Sequence, residues 1–388
     1  LNNLRRQYLI EGLRAYLALW VLVGHVLSAS GYEEGQLQGF AWLLGANWAA
    51  VDVFVIISGF VIFLLLDKQV ETNRAFICRR FFRLYPVYIL LFGISIPVSI
   101  LWGWNLQHLP FLSAAQVSSY SSELKNVWSH SQWNILWHLP MLHGAAPDSG
   151  WSKCTDTAFL GPAWSISLEW QFYLLAPITY YAAVSSRPLY RIGVCVFCLY
   201  LFWGRDFLPA GLFAGYSKHG AFLPFHVEYF FIGAASYFAY KKVTLNQADV
   251  VFPIAASLGI FLWRPDKLIP ICLWIIFLGL LLEKPESYSR RLLSKFFENP
   301  VSQFLGRISY SIYLSHILVL IAVQYLLLKY ASDFSQPLHF WMLLGATTGG
   351  TILISSTLYR LIELPGIRLG HKFASRFQKN CGDRKEQD

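Results

Sequence analysis

The sequence predicts an all-α, polytopic integral membrane protein with about ten transmembrane helices and both termini in the cytoplasm. Three observations carry that prediction. Hydrophobic residues make up 55% of the 388 positions and charged residues only 14%, against about 25% charge in an ordinary soluble domain. Apolar runs of about 20 residues, enough to cross a bilayer, recur along the chain. With those runs counted as spans, one set of alternating connections holds 23 Lys and Arg and the other only 7, the bias of the positive-inside rule.

The predicted spans cover residues 8–30, 44–66, 86–104, 163–184, 191–207, 222–240, 249–263, 268–283, 303–328 and 339–362. The first follows Arg5 and Arg6 and ends near Ser28, Ala29 and Ser30, a mimic of a signal-peptide cleavage site. Glu11 and Arg14 interrupt it, and cleavage would leave an odd number of spans, so it is read as retained. Only Arg264, Pro265, Asp266 and Lys267 separate the seventh span from the eighth. Residues 1–370 form the membrane domain, and 371–388 a basic cytoplasmic tail, disordered or surface-bound.

The six cysteines are scattered, and only Cys154 falls in a long polar segment, so no disulfide framework is expected. Cys195 and Cys198 lack the second pair a zinc site needs, and no metal is expected. The net charge of +9 belongs to the inner face, where it meets the lipid bilayer's anionic headgroups or anionic ligands. A nucleic-acid partner is excluded because no separate basic domain exists to hold one.

Arg14 and His25 lie eleven residues apart in the first span, which returns them to nearly the same helix face about 16 Å apart. Two ionisable residues on one stripe suggest a lined path, although each could instead snorkel to its own surface. In the inner loop 68–86, RRFFRLYP sets Arg80 and Arg83 one turn apart, able to converge on a phosphate or to form a basic interfacial collar. The outer segment 105–162 carries Trp128, Trp133, Trp137 and Trp151 with His130, His138 and His143. Those rings suit a sugar platform or an interfacial aromatic belt.

Six blocks in order resemble the acyltransferase 3 family of membrane acyltransferases: LIEGLRAYLALWVLVGH at 9–25, VDVFVIISGFVI at 51–62, RRFFRLYP at 79–86, PAWSISLEWQFYLLAP at 162–177, GRISYSIYLSH at 306–316 and Glu363 to Pro365. The resemblance implies transfer of an acyl group, usually acetyl from acetyl-CoA, to a hydroxyl of an extracytoplasmic or lipid-linked glycan or another small acceptor, at the cytoplasmic (inner) membrane. It puts the catalytic histidine at His25, the helix-one arginine at Arg14 and the RxxR element at Arg80 and Arg83. It also implies a stand-alone form without a fused esterase-like domain, delivering the acyl group itself or handing it to a separate extracytoplasmic transfer protein.

Helix direction places Asp52 and Glu169 at a depth comparable with His25. Either carboxylate could orient the imidazole while the other ring nitrogen takes the acceptor's proton, and a covalent acyl-His intermediate is an alternative. The phosphates of a cytoplasmic acyl-CoA belong near Arg80, Arg83 and Arg307, and Arg14 is assigned to the pyrophosphate. Tyr310 and its neighbouring serines are expected to line the cavity, His316 to be a packing residue, and Glu363 to pair with an arginine. A transporter or flippase for an anionic or sugar-bearing solute is the rival reading, and a non-catalytic scaffold or receptor a third.

Overall fold

The computed structural model describes residues 2–32, 35, 37–68, 72–147, 151–193, 196, 221–241, 268–282, 287–331 and 335–385. Among them no residue lies in a strand. The helices are α1 (Asn2–Ala29), α2 (Gly39–Gly45), α3 (Asn47–Lys68), α4 (Asn73–His108), α5 (Ala114–Ser129), α6 (Ser131–His138), α7 (Trp164–Val184), α8 (Val227–Lys241), α9 (Leu268–Leu282), α10 (Tyr288–Phe297), α11 (Pro300–Arg307), α12 (Ser309–Tyr330), α13 (Gln336–Leu358) and α14 (Leu364–Lys385). Five described helical stretches, Gln7–Ala29, Asn47–Lys68, Asn73–His108, Ser309–Tyr330 and Gln336–Phe377, are long and apolar enough to cross a membrane. Three more, α7, α8 and α9, coincide with the predicted spans 163–184, 222–240 and 268–283. The predicted span 249–263 lies outside the described residues, as does most of 191–207 with Cys195 and Cys198.

Contact order gives the relative directions of the helices. Along α12 the contacts run from His316 to His25 and from Gln324 to the Ala29 carbonyl, so α12 is parallel to α1. Asn105 bonds the Ile321 carbonyl and Tyr310 the Leu84 carbonyl, making α4 parallel to α12. Ser58 meets Glu169 and Asp67 meets Tyr180, so α3 and α7 are parallel as well. The pairs Ser315 with Ser355 and Val319 with Gly350 make α12 and α13 antiparallel. These directions match the alternation of the predicted spans. The beginning of α1 and the end of α13 therefore share one end of the bundle.

Small residues permit close crossings between helices. A Cβ on Gly59 would fall 2.3 Å from the Phe230 carbonyl oxygen, and one on Gly233 2.1 Å from that of Ile56. Backbone-to-backbone contact of this kind supplies dispersion where lipid offers no hydrophobic drive between helices.

The RRFFRLYP block is not a loop. It lies inside α4, which runs unbroken through Pro86 and Pro97. Pro86 withholds the N–H that the Phe82 carbonyl would accept, and Gly366 of α14 seats there: a Cβ at 366 would be 2.9 Å from both that oxygen and Pro86 Cγ. Phe373 of α14 stacks on Phe82 with ring centroids 5.4 Å apart, so the start of the predicted basic tail is a helix docked on α4. Between α13 and α14 the backbone widens into a π turn, Tyr359–Glu363, just before Pro365. The predicted span 303–328 is likewise divided, because the chain breaks at Ile308 between α11 and α12.

The segment after α4 folds as α5, α6 and irregular chain held by two buried histidines. His138 and His143 stack at 3.9 Å between centroids with planes 4° apart. Their Nε2 atoms donate to the Thr155 and Ala163 carbonyls, each at 3.0 Å. Both Nδ1 atoms face the Tyr88 hydroxyl, at 2.8 and 3.3 Å. Burial holds the His138 imidazole well below its ordinary range, with His143 a second cause, and burial holds His143 at about 4. Two stacked imidazoles in a dry site cannot both carry charge. Trp133 and Trp151 stay exposed, in edge contact at 5.5 Å.

Candidate active site

A cavity of about 370 Å³ opens among α1, α3, α4, α7 and α12. Its ionisable lining consists of Arg14, Lys68, Arg80 and Arg83 against Glu11 and Glu169, a formal surplus of two positive charges. Phe54, Val55, Leu64 and Leu65 supply an apolar wall, and Ser165, Ser309, Tyr310 and Tyr313 polar edges. Arg80 and Arg83 reach the same space because they are three residues apart on a continuous helix.

The two arginines are differently engaged. Arg83 donates to Glu363 Oε1 at 2.5 Å, and Ser311 donates to the other carboxylate oxygen at 2.7 Å. Glu363 is 1% exposed, so this ion pair is a buried one. Tyr310 donates to the Leu84 carbonyl at 2.6 Å and lays its ring 5.9 Å from the Arg83 guanidinium. Arg80 sits 5.9 Å from the Phe76 ring, and its buried Nε has no hydrogen-bond partner among the described residues. A buried donor left without an acceptor costs about 1–3 kcal/mol, which an anion in the cavity would relieve.

Glu169 is hydrogen-bonded elsewhere than to His25. Its partners are the Ser58 hydroxyl at 2.8 Å and the Tyr173 hydroxyl one turn along α7, and it faces the arginine cavity. Asp52 is buried with Oδ1 3.6 Å from Nε2 of His226, whose ring lies 5.3 Å from that of Trp164. Arg307 ends α11 with its side chain exposed and is not among the lining residues, a correction to its grouping with the phosphate-binding arginines. The chain break at Ile308 sets α11 apart from α12, so Arg307 does not follow Tyr310 into the cavity.

His25 is half-buried and lies beyond the cavity's lining, on the far side of Tyr313. Its Nδ1 is 2.9 Å from the Val21 carbonyl, 3.2 Å from Nε2 of His316 and 3.5 Å from the Asn47 amide. His316 is fully buried, its own Nδ1 3.2 Å from the Ile312 carbonyl. Tyr313 links the two regions. It lines the cavity, bonds Ser165 at 2.8 Å and keeps its ring 6.1 Å from that of His316. Sequence reasoning took His316 for packing and passed over His226 and Tyr173. The signal for His316 was an ionisable residue within an apolar span, but only the parallel seating of α12 on α1 shows that it meets His25.

Arg14, Arg80, Arg83, Glu169 and Tyr310 thus share a basic cavity while His25 lies beyond it, and the family comparison covers all six. The acyltransferase domain family matches residues 7–360. This chain belongs to that family. A Staphylococcus aureus protein named "Putative O-acetyltransferase" is 24% identical over 403 residues, covering 94% of this chain and 58% of its own length. The peptidoglycan O-acetyltransferase of Listeria monocytogenes is 24% identical over 392 residues, with 92% and 55% covered. A Komagataeibacter xylinus protein named "Putative membrane-bound transacylase" is 27% identical over 214 residues, 53% of this chain and 46% of its own. The chain therefore spans about half the length of the curated relatives it matches. No solved structure matches it.

Proposed function

We propose that this chain is an inner-membrane O-acyltransferase that moves an acyl group, acetyl in the first instance, from cytoplasmic acyl-CoA to a hydroxyl of an extracytoplasmic or lipid-linked carbohydrate. The observation that carries the reading is the buried, unpartnered Nε of Arg80 in a cavity it shares with Arg14 and Arg83. Guanidinium groups converging on one space suit the phosphates of a nucleotide-bearing donor. The glycan acceptor draws support from the Listeria relative's name, peptidoglycan O-acetyltransferase.

The chemistry assigned to His25 follows from its contacts. The Val21 carbonyl at Nδ1 requires that this nitrogen carry the proton, so the lone pair is on Nε2. Nε2 takes the acceptor hydroxyl's proton as the oxygen attacks the thioester carbonyl. The intermediate collapses with cleavage of the carbon–sulfur bond, and the imidazolium returns the proton to the leaving thiolate. Arg14, eleven residues before His25 on the same helix, holds the donor's anionic end about 16 Å away, and the donor's narrow arm bridges the interval past Tyr313.

Release of free thiol from acetyl-CoA by purified protein, with a panel of methyl glycosides and muramyl glycan fragments, tests the reading. His25→Gln should insert and bind acetyl-CoA normally yet lose about 10²–10⁴-fold in turnover, since an amide cannot take up the proton. Near wild-type turnover in that variant refutes the base role, and acetyl-CoA binding without thiol release on any acceptor refutes the transferase.

A further inference from the structure

We propose that His316 is the positioning residue for His25, its imidazole accepting the proton on His25 Nδ1. The inference rests on the reading of His25 as the base, and concerns which group holds that base in place.

The parallel seating of α12 on α1 brings the two histidines together. Along the parallel helices α1 and α12, His316 meets His25 and, two turns on, Gln324 meets the Ala29 carbonyl. Helical side chains lean toward the N-terminus of their own helix. Both rings lean back over the preceding turn of their own helix, toward the Val21 and Ile312 carbonyls, and they sit 5.0 Å apart at 45°.

The protons can be placed from the carbonyls. Ile312 O at 3.2 Å from His316 Nδ1 calls for a proton on that nitrogen, which leaves the lone pair on His316 Nε2. That lone pair faces His25 Nδ1 at 3.2 Å, whose proton also points to Val21 O. One N–H is thus shared by two acceptors, and both hold the same tautomer: proton on Nδ1, lone pair on Nε2. Exchanging the tautomers would set lone pairs against both carbonyls.

A carboxylate set in the place of the His316 ring would add the electrostatic pull of an anion at His25 Nδ1. Among the described residues, the charged groups of the elements packed on α1 have these neighbours. Glu169 faces the arginine cavity through Ser58 and Tyr173, and Asp52 on α3 neighbours His226. Helix α2 has no ionisable residue, and His339 is the single one on α13. Glu11 and Arg14 of α1 itself, with α10 and α11, belong to the other end of that helix: Phe297 packs on Gly12 and Gly306 on Glu11.

The test pairs two readouts in His316→Glu, His316→Asn and His316→Leu, using acetyl-CoA and a methyl glycoside as probes. One is the pH profile of kcat. The other is the pH dependence of His25 carbethoxylation by diethylpyrocarbonate, resolved by peptide mass spectrometry and independent of catalysis. His316→Glu should raise the midpoint of both by about one pH unit or more. His316→Asn, whose amide oxygen can accept the Nδ1 proton, should keep most of kcat, whereas His316→Leu should lose about tenfold in kcat at unchanged KM. A His25 labelling midpoint unmoved by glutamate, in protein that inserts and binds acetyl-CoA, overturns the pairing. A midpoint that moves while the rate profile does not refutes the base role of His25 and leaves the contact standing. Should the glutamate variant fail to accumulate, equal kcat in the asparagine and leucine variants overturns the proposal.

Discussion

Removing Arg80 and removing Arg83 should injure the protein in different ways, although the two lie one turn apart and line the same cavity. Arg83 is already committed to Glu363, which is 1% exposed and otherwise held by Ser311. Arg83→Ala strands that carboxylate in the bundle, a loss of about 3–5 kcal/mol in stability for breaking a buried pair from one side. Arg80 has no such partner for its Nε. Arg80→Ala should therefore leave the fold nearly intact while costing one charge-assisted contact to a phosphate, about 1.5–3 kcal/mol, or roughly 10- to 150-fold in acyl-CoA Kd. Lysine should restore part of the Arg80 loss, since it keeps the charge and loses the fork. The assays are thermal unfolding in detergent and calorimetric titration with acetyl-CoA. Arg83→Ala with Glu363→Gln should recover much of the lost stability, because the stranded charge is gone. Equal losses of affinity at both positions with unchanged thermal stability would refute this division, and unchanged affinity in Arg80→Ala would make that arginine part of a basic interfacial collar.

The His138 and His143 stack should make the segment after α4 acid-sensitive. Both are held neutral in the fold, His143 at about 4, so the unfolded segment binds more protons between the ordinary histidine range near 6.5 and about 4. Stability is full above that range and falls by about 3 kcal/mol for His143 across it; hydrogen exchange in residues 109–163 should lose protection from pH 7 to pH 4, and constant protection after correction for intrinsic rates would contradict the account. The same segment should be extracytoplasmic, so a cysteine placed at the exposed Ser118 should react with an impermeant maleimide in intact cells; labelling only after permeabilisation would reverse the orientation.

By itself the sequence determined the class of fold. Low charge, apolar runs and the 23 to 7 bias in Lys and Arg require helices in a bilayer, because each is a statement about transfer free energy that holds before any contact forms. Arg14, Arg80, Arg83, Glu169 and Tyr310 were legible for a related reason: a polar group in hydrocarbon is costly enough to need a purpose. Helix ends were less legible where proline was read as a stop. Pro86 lies inside α4 because Gly366 seats against the backbone it opens, a contact 280 residues away in the chain.

Pairing was decided by tertiary structure alone. Nothing local distinguishes Glu169 or Asp52 as the partner of His25 from His316. The choice depends on the parallel seating of α12 on α1, which brings His316 to within 3.2 Å, and on the contact of α3 with α7, which turns Glu169 toward Ser58 and the arginines. Depth within a membrane follows from residue count along a helix, whereas a partner depends on how each helix is rotated about its axis. Rotation is set by packing, by close approaches such as Gly59 to Phe230 and Gly306 to Glu11, and those are properties of the assembled bundle.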